Sequence, residues 1–179
     1  MKKIILGIVV VLAIVLVSLA LSLFGDKFQE GAREYEKGNK TKAAELYKKA
    51  CDRGEFRGCF DLGAMYARGD GIKKDLFKAV ELYKKACDRG EFRGCSSLGV
   101  MYAKGDGVKR DKVKAAELYQ KGCDGGDTTG CFNLGHIYYK EEDLFKAAEL
   151  FKKACDGGDV RGCALLGFMY ENGMGGKTG

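Results

Sequence analysis

Apolar residues recur at helical spacing along most of the chain, in stretches separated by glycine-containing turns. Within 41–53, for example, alanine, leucine, tyrosine and cysteine lie three and four positions apart, and 55–67 shows the same pattern. This spacing places the apolar side chains on one face of an α-helix. No stretch of strand length alternates apolar and polar residues. The pattern therefore predicts an all-α fold.

The predicted helices repeat as a unit of two. The cysteines that end each second helix lie at 51, 87, 123 and 155, which gives steps of 36, 36 and 32 residues. A repeat of this length indicates stacked units that bury a continuous core between neighbours. The predicted helices and helix pairs are 26–37, 41–53, 55–67, 74–89, the pair within 91–125, the pair within 127–157, and 159–171.

We therefore predict four αα units and a final single helix over 26–172, followed by a glycine-rich tail, 173–179. The unit at 127–157 is shorter because it lacks the turn Gly-Asp-Gly-Ile/Val that two other units carry. Asp127 and Asp159 precede their helices at the N-cap position. The unpaired last helix suggests that the array is truncated, or that a binding partner covers this helix; truncation is favoured.

A leader precedes the repeats. Lys2 and Lys3 are followed by a run of 21 mostly apolar residues, 4–24, long enough as a helix to cross a bilayer. Small residues near its end also resemble a signal-peptidase site. Residues 1–25 are therefore predicted to be a signal peptide or an N-terminal membrane anchor. Either one delivers the repeats across the membrane.

Charge does not favour nucleic-acid binding. The formal net charge is +6, from 31 basic and 25 acidic residues. Charges of both signs alternate along the predicted helices, whereas nucleic-acid binding calls for a continuous basic surface. No nucleic-acid partner is predicted.

Two short motifs carry a family resemblance. Leu62-Gly63-x-x-Tyr66 recurs in three later helices, and Lys78-Ala79-x-x-Leu82-Tyr83 recurs in the second helices. Together with the glycine turn, these motifs resemble the Sel1-like repeat, a relative of the tetratricopeptide repeat. With a Cys-x7-Cys in every unit behind a leader, the chain resembles the Helicobacter cysteine-rich proteins over nearly all of 26–172. The resemblance implies an αα-hairpin solenoid.

The eight cysteines form four pairs, each spanning a short turn between two predicted antiparallel helices, within plausible bridging distance. Seven intervening residues and a single histidine do not match a zinc site. Free buried thiols, the other alternative, conflict with an exported chain. No metal and no cofactor is predicted. The predicted disulfides are Cys51–Cys59, Cys87–Cys95, Cys123–Cys131 and Cys155–Cys163.

The first helix of each unit lines a concave groove in tetratricopeptide-like arrays, so the resemblance implies a binding face there. Arginines, small polar groups and phenylalanines at these positions suit an extended peptide or glycan strand. Asn133 matches the position that holds a peptide backbone in such arrays, whereas Asp61, Ser97 and Leu165 depart from it. The predicted groove residues are Arg57, Phe60, Asp61, Arg93, Ser97, Phe132, Asn133, His136 and Arg161, with Ala64, Ser96, Val100, Thr129, Ala164 and Phe168 in the same register.

The resemblance also implies an alternative function, because some members are described as penicillin-binding proteins or β-lactamases. The chain contains no Ser-x-x-Lys, and Lys177-Thr178-Gly179 matches one β-lactamase tripeptide without a serine nucleophile. No catalytic residue is predicted.

The sequence thus favours an exported binding or adaptor protein for a protein, peptide or peptidoglycan-like ligand. We expect it in the periplasm or secreted. The alternative is attachment to the inner membrane, with membrane contact only through residues 4–24.

Overall fold

The computed structural model describes residues 26–175. Within this range the chain forms α-helices and no β-strand, and the helix ends lie within two residues of the predicted ones. The all-α fold of stacked helix pairs is confirmed. The helices are α1 (Lys27–Glu36), α2 (Lys40–Asp52), α3 (Phe56–Arg68), α4 (Leu76–Asp88), α5 (Phe92–Lys104), α6 (Lys112–Asp124), α7 (Thr128–Lys140), α8 (Leu144–Asp156) and α9 (Val160–Glu171).

The predicted leader, 1–25, and the last four residues of the predicted tail, 176–179, lie outside the described residues. Among residues 26–175, no helix has both the length and the apolar character needed to span a membrane.

Aspartates begin several helices. The Asp127 carboxylate accepts a hydrogen bond from the backbone N–H of Gly130 at 3.3 Å, and Asp159 accepts one from Arg161 at 3.0 Å. Such bonds satisfy backbone donors that have no partner within the helix. Both N-caps agree with the sequence expectation. Glu55, at the equivalent position, makes no such bond to its own helix.

Within a unit, a glycine of the first helix faces an aromatic ring of the second. A Cβ added to any of these glycines would lie only 2.8–3.0 Å from that ring. A larger residue would therefore push the two helices apart, which explains a glycine in a helix interior despite its cost of about 1 kcal/mol relative to alanine. The pairs are Gly31–Tyr47, Gly63–Tyr83, Gly99–Tyr119 and Gly135–Phe151.

The last helix, α9, has no second helix against it in the described part of the chain. Its glycine, Gly167, would place an added Cβ in open space, with nothing within 4 Å. Phe168 and Tyr170 on the same helix are 47% and 57% exposed. The face that is covered in every earlier unit is therefore uncovered here.

Four disulfides join the second helix of one unit to the first helix of the next. They are Cys51–Cys59, Cys87–Cys95, Cys123–Cys131 and Cys155–Cys163, with Cα–Cα separations of 4.5–4.6 Å. The sequence analysis proposed the same pairs. Closing so short a loop restricts the unfolded chain by about 2–3 kcal/mol per bridge. Each bridge holds two helices together at one end of their contact.

At the opposite end, the same two helices leave a gap, which we call a cleft. Three of the four clefts are closed by the loop that follows the first helix of a unit. A glycine in each loop adopts a left-handed φ of 68–74° and packs its backbone onto the first residue of the preceding second helix. These contacts are Gly71 on Lys40, Gly107 on Leu76 and Gly175 on Leu144.

The fourth cleft, between α6 and α7, has no such loop. The connection from α7 to α8 is only Glu141–Asp143, three residues, whereas α3 and α4 are joined by seven. No glycine of this connection can reach Lys112, the first residue of α6. The shorter unit seen in the sequence thus leaves one cleft unclosed.

Candidate ligand-binding surface

The residues predicted to line the groove lie on the first helices of four successive units, α3, α5, α7 and α9. The helix pairing described above sets the orientation of the first three, because α3, α5 and α7 each bury a glycine face against the second helix of their unit, whereas the corresponding face of α9 is uncovered. The exposed members are Arg57, Arg93 and Arg161, and the half-buried ones are Phe60, Asp61, Ser97, Phe132, Asn133 and His136.

Phenylalanines on these helices pack against the aromatic ring of the second helix. The Phe60 and Tyr83 ring centroids are 5.8 Å apart, and those of Phe132 and Phe151 are 5.9 Å apart. Tilted pairs at this separation add packing energy beyond the area they bury. Phe28 packs on Tyr47 in the same way in the first unit, at 5.8 Å.

Two of the predicted arginines lie over phenylalanines of the preceding unit. The Arg93 guanidinium carbon is 4.4 Å from the Phe60 ring centroid, and that of Arg161 is 4.3 Å from the Phe132 centroid. A guanidinium over a ring face gains a cation–π attraction. These contacts form aromatic–arginine pairs that cross the boundary between units.

The guanidinium groups also bond to carboxylates of the chain. Arg93 donates from Nε to Glu91 at 2.7 Å, and Arg161 donates from Nε and Nη2 to the two oxygens of Asp159 at 3.0 and 2.6 Å. Arg161 is therefore held by a bidentate pair that a ligand carboxylate must displace. Arg93 keeps its terminal nitrogens available for a ligand.

Asp61 is half-buried beside this surface. Burial raises the pKa of its carboxyl group, and the nearby Arg93 charge opposes that shift. Its counterparts in the next two units, Ser97 and Asn133, are neutral at every pH. The residue at this position thus changes from acidic to uncharged along the array.

Two positions in the predicted register are buried instead. Ala64 is 7% exposed and Ser96 is 1% exposed, so neither contributes to a groove. Ser96 points toward Gly122 and Gly130, where an added Cβ would lie 2.2 and 2.7 Å from its hydroxyl oxygen. Other units carry alanine where this one has Gly122. The serine fills the space that the missing methyl group leaves.

The unclosed cleft forms a cavity of about 870 Å³. Three predicted groove residues, Phe132, Asn133 and His136, lie in its wall together with residues of α6 that the sequence analysis did not select. The cavity is lined by Ala103, Arg110, Lys112, Val113, Ala115, Ala116, Tyr119, Phe132, Asn133, His136, Ile137, Lys140 and Glu141. The signal that could have revealed it was the missing turn in the unit at 127–157.

Residues 26–175 bring no three histidine, cysteine, aspartate or glutamate side chains together in a way that could hold a metal ion. The lining of the cavity consists of apolar side chains, an amide and charged groups. Such a surface can bind a segment of another molecule.

Comparison with known proteins places the chain in a family. The Sel1 repeat model matches residues 28–55, 57–91, 93–127, 128–159 and 160–178. A Helicobacter pylori strain J99 protein named "Putative beta-lactamase HcpC" is 44% identical over 46 residues, which is 26% of this chain. That stretch is only 16% of the relative's own length.

Solved structures show the same architecture. A Sel1 repeat protein from Oxalobacter formigenes has a TM-score of 0.76 at 28% identity, covering 83% of this chain and 64% of that protein. Helicobacter pylori cysteine rich protein B has a TM-score of 0.55 at 36% identity, covering 70% of this chain and 92% of that protein. The resemblance to the Helicobacter cysteine-rich proteins is thereby confirmed. The chain belongs to the Sel1 repeat family.

Proposed function

We propose that this chain is an exported binding or adaptor protein whose first-helix face recognises a segment of a partner. The favoured ligand is a peptide or protein segment, and a peptidoglycan-like strand would meet the same surface. Sel1 repeat proteins are commonly protein-binding scaffolds, which supports this reading. The observation that carries the proposal is the cavity whose wall contains Phe132, Asn133 and His136, beside the Arg161–Phe132 pair.

The residue types on this face are ones that contribute strongly to the free energy of binding. Half-buried rings and arginines are the residue types that contribute most when they become fully desolvated in an interface. Phe60 and Phe132 are already packed on one side, so a ligand that covers the other side pays little ordering entropy. The disulfides hold neighbouring units together, which also preorganises the surface.

The disulfides bear on the cellular compartment of the protein. Four bridges in so small an array indicate an oxidising, extracytoplasmic location. The periplasm or the secreted fraction is the proposed site. Attachment to the inner membrane through residues 4–24 is the alternative, and the intact mass of the mature protein separates the two.

The binding function can be tested by photo-crosslinking in the native envelope. A crosslinking side chain placed at Ser97 or Asn133 should trap one common partner, while the same group at Lys48, exposed on α2, should not. The joint variant Arg57→Ala, Arg93→Ala and Arg161→Ala should lose most of this adduct, because it removes the cationic part of the surface. Lys48→Ala, Lys84→Ala and Lys121→Ala remove the same charge from second helices and should leave it unchanged.

Equal adducts from both faces, or an unchanged adduct in the arginine variant, would contradict the groove assignment. Thermal melts of both triple variants show whether folding is retained. The hydrolytic alternative implied by the name of HcpC is tested by nitrocefin turnover with the purified, oxidised chain. Turnover above the rate of a heat-denatured control would favour that alternative.

A further inference from the structure

The three closed clefts show what kind of segment this fold accepts between its helices. Each holds an aliphatic or thioether side chain supplied by the loop that closes it. Ile72 packs against the cluster around Ala43 and Tyr47, and Val108 packs against the cluster around Ala79 and Tyr83. In the third, Met174 packs beside α8 from a different place in the loop, because it precedes Gly175 whereas Ile72 and Val108 follow Gly71 and Gly107. An apolar side chain of the loop is therefore the common occupant, and in the first two clefts it lies two positions after an aspartate.

The first closed cleft also shows a charged contact. Lys40, the first residue of α2, donates from Nζ to the Asp70 carboxylate at 2.5 Å, and the Tyr35 hydroxyl also donates to Asp70. These donors lower the pKa of Asp70, which therefore remains charged. Asp70 precedes Ile72 by two positions, so the loop presents a carboxylate at the rim and an aliphatic group inside.

The unclosed α6–α7 cleft has the equivalent lysine and apolar residues without the loop, although Ala103 stands where Tyr35 stands, so the tyrosine hydroxyl has no counterpart. Lys112 begins α6 as Lys40 begins α2, and Ala115 and Tyr119 stand where Ala43 and Tyr47 stand. All three line the cavity. Lys112 makes no ion pair within residues 26–175, whereas Lys40 pairs with Asp70. A lysine and an apolar recess are thus present, and no residue of 26–175 lies between them as Asp70 and Ile72 lie in the first cleft.

The rim of the cavity favours an anionic segment. Arg110, Lys112 and Lys140 line it together with a single carboxylate, Glu141. Arg110 is held in place because its Nε donates to the Ala103 carbonyl oxygen at 3.0 Å. Opposite charge at a rim promotes encounter and fixes the orientation of the bound segment.

We propose that the α6–α7 cleft binds an extended segment of a partner protein in which an aspartate or glutamate precedes an aliphatic residue by two positions. The aliphatic side chain enters the recess formed by Ala115, Ala116 and Ile137, and the carboxylate pairs with Lys112. The segment takes the place that Gly-Asp-Gly-Ile occupies in the chain's own first cleft. This inference rests on the proposed binding function and names its ligand class.

A second copy of the chain is a poor source for that segment. Its loops of this type are already packed, since Gly71 and Gly107 lie against Lys40 and Leu76 with no room for even a methyl group. Releasing such a loop would uncover its own cleft. A partner with an exposed acidic–aliphatic loop loses nothing of this kind.

The test uses the chain's own loop as the probe. A fluorescent nonapeptide based on residues 67–75, with the changes Arg68→Ser, Lys73→Ser and Lys74→Ser so that the probe is anionic, is titrated with the full-length oxidised protein and followed by anisotropy. Saturable binding is expected. Replacing the isoleucine of the peptide by alanine should weaken binding about tenfold or more, because it removes a buried aliphatic group. Replacing its first aspartate by asparagine should weaken binding about two- to fivefold.

Variants of the protein locate the binding. Lys112→Gln should weaken peptide binding about two- to fivefold, and the matched control Lys84→Gln on α4 should not change it. Ala116→Phe should abolish binding by filling the recess. A chain in which Glu141 and Glu142 are replaced by residues 69–74, so that this cleft closes as the others do, should fold, melt no lower than the original and bind no peptide.

Absence of saturable binding would overturn the inference, as would binding that is unaffected by both Ala116→Phe and the transplanted loop. Neither result touches the broader proposal, because Ser97 lies on the face but outside the cavity lining, so crosslinking from it reports on a partner of the wider face. Conversely, peptide binding that follows these variants while crosslinking from Ser97 fails would support the cleft and reject the wider groove.

Discussion

The α4–α5 and α6–α7 clefts are built from the same parts and end in different states. Both are held at one end by a disulfide, Cys87–Cys95 and Cys123–Cys131. At the other end, the loop after α5 covers the α4–α5 cleft. The connection after α7 is four residues shorter and leaves a cavity at the α6–α7 cleft. A small change in loop length thus turns a site of internal packing into a site that can receive another molecule.

The comparison also shows that a repeat protein can create a specific site without a special fold. The helices around both clefts have the same lengths and the same glycine–aromatic contacts. What differs is whether a loop from the chain itself occupies the space. Stability and recognition therefore compete for the same apolar recess.

Adding a methyl group to a glycine that packs on a helix to close a cleft should have the largest effect on the free energy of unfolding. Gly107→Ala puts a Cβ 2.6 Å from the Leu76 carbonyl oxygen at a φ of 68°, so overpacking adds to left-handed strain. We expect a loss of about 2–4 kcal/mol in the free energy of unfolding. Gly90→Ala has a similar φ with nothing within 4 Å and should cost only about 1–2 kcal/mol. Urea unfolding measures both.

If the two glycine variants lose equal stability, the loop does not close the α4–α5 cleft tightly. The same glycine comparison cannot be made at the α6–α7 cleft, where the connection Glu141–Asp143 contains no glycine.

Shortening the loop side chain that packs into a closed cleft should have an intermediate effect on the free energy of unfolding. Ile72→Ala removes a half-buried side chain that packs on Tyr47, and we expect a loss of about 1–2 kcal/mol, less than for a fully buried isoleucine. Val113→Ala lies in the wall of the unclosed cleft and is 72% exposed, so its effect should stay within about 0.5 kcal/mol. Thermal and urea unfolding of the pair provide the measurement; equal losses would mean that the α6–α7 cleft is closed in solution.

The smallest expected effect is on the pH dependence of stability and concerns Asp61, whose counterpart in the unclosed cleft is Asn133. Burial raises the pKa of Asp61 in the folded chain, so folding favours its protonated form. The stability of the natural chain relative to Asp61→Asn should then fall as the pH rises through that raised pKa. Below the ordinary carboxyl range the two proteins should respond to pH in parallel.

Unfolding curves between pH 3 and pH 7 test this sign. At neutral pH the asparagine variant should be modestly the more stable of the two. A natural chain that gains stability relative to the variant over this range would show that Arg93, and not burial, dominates the environment of Asp61.

Most of the fold was predictable from local signals. Helical spacing, glycines at turns and cysteines eight positions apart each concern residues close in sequence, and the helices formed where those signals placed them. The shared register also put Phe132, Asn133 and His136 on one helix face, and all three line the cavity.

The site was predictable only in part. Ser96 shares that register but is buried, because Gly122 on another helix leaves room for its side chain. Lys112 and Val113 were not selected, because they come from the preceding unit and reach the cavity across the cleft. Each of these outcomes depends on a neighbour distant in sequence.

The sequence by itself determined the helices, their order of stacking and a covalent link between successive units, because all of these arise from periodicity and short-range spacing. The sequence showed that the turn of one unit is short, but only the tertiary structure showed that such a turn closes the cleft of the preceding unit boundary and that its loss leaves a cavity. Filling depends on whether a loop is long enough to reach the start of an earlier helix, and on how much volume the intervening side chains leave. Those quantities exist only when the units are stacked in space.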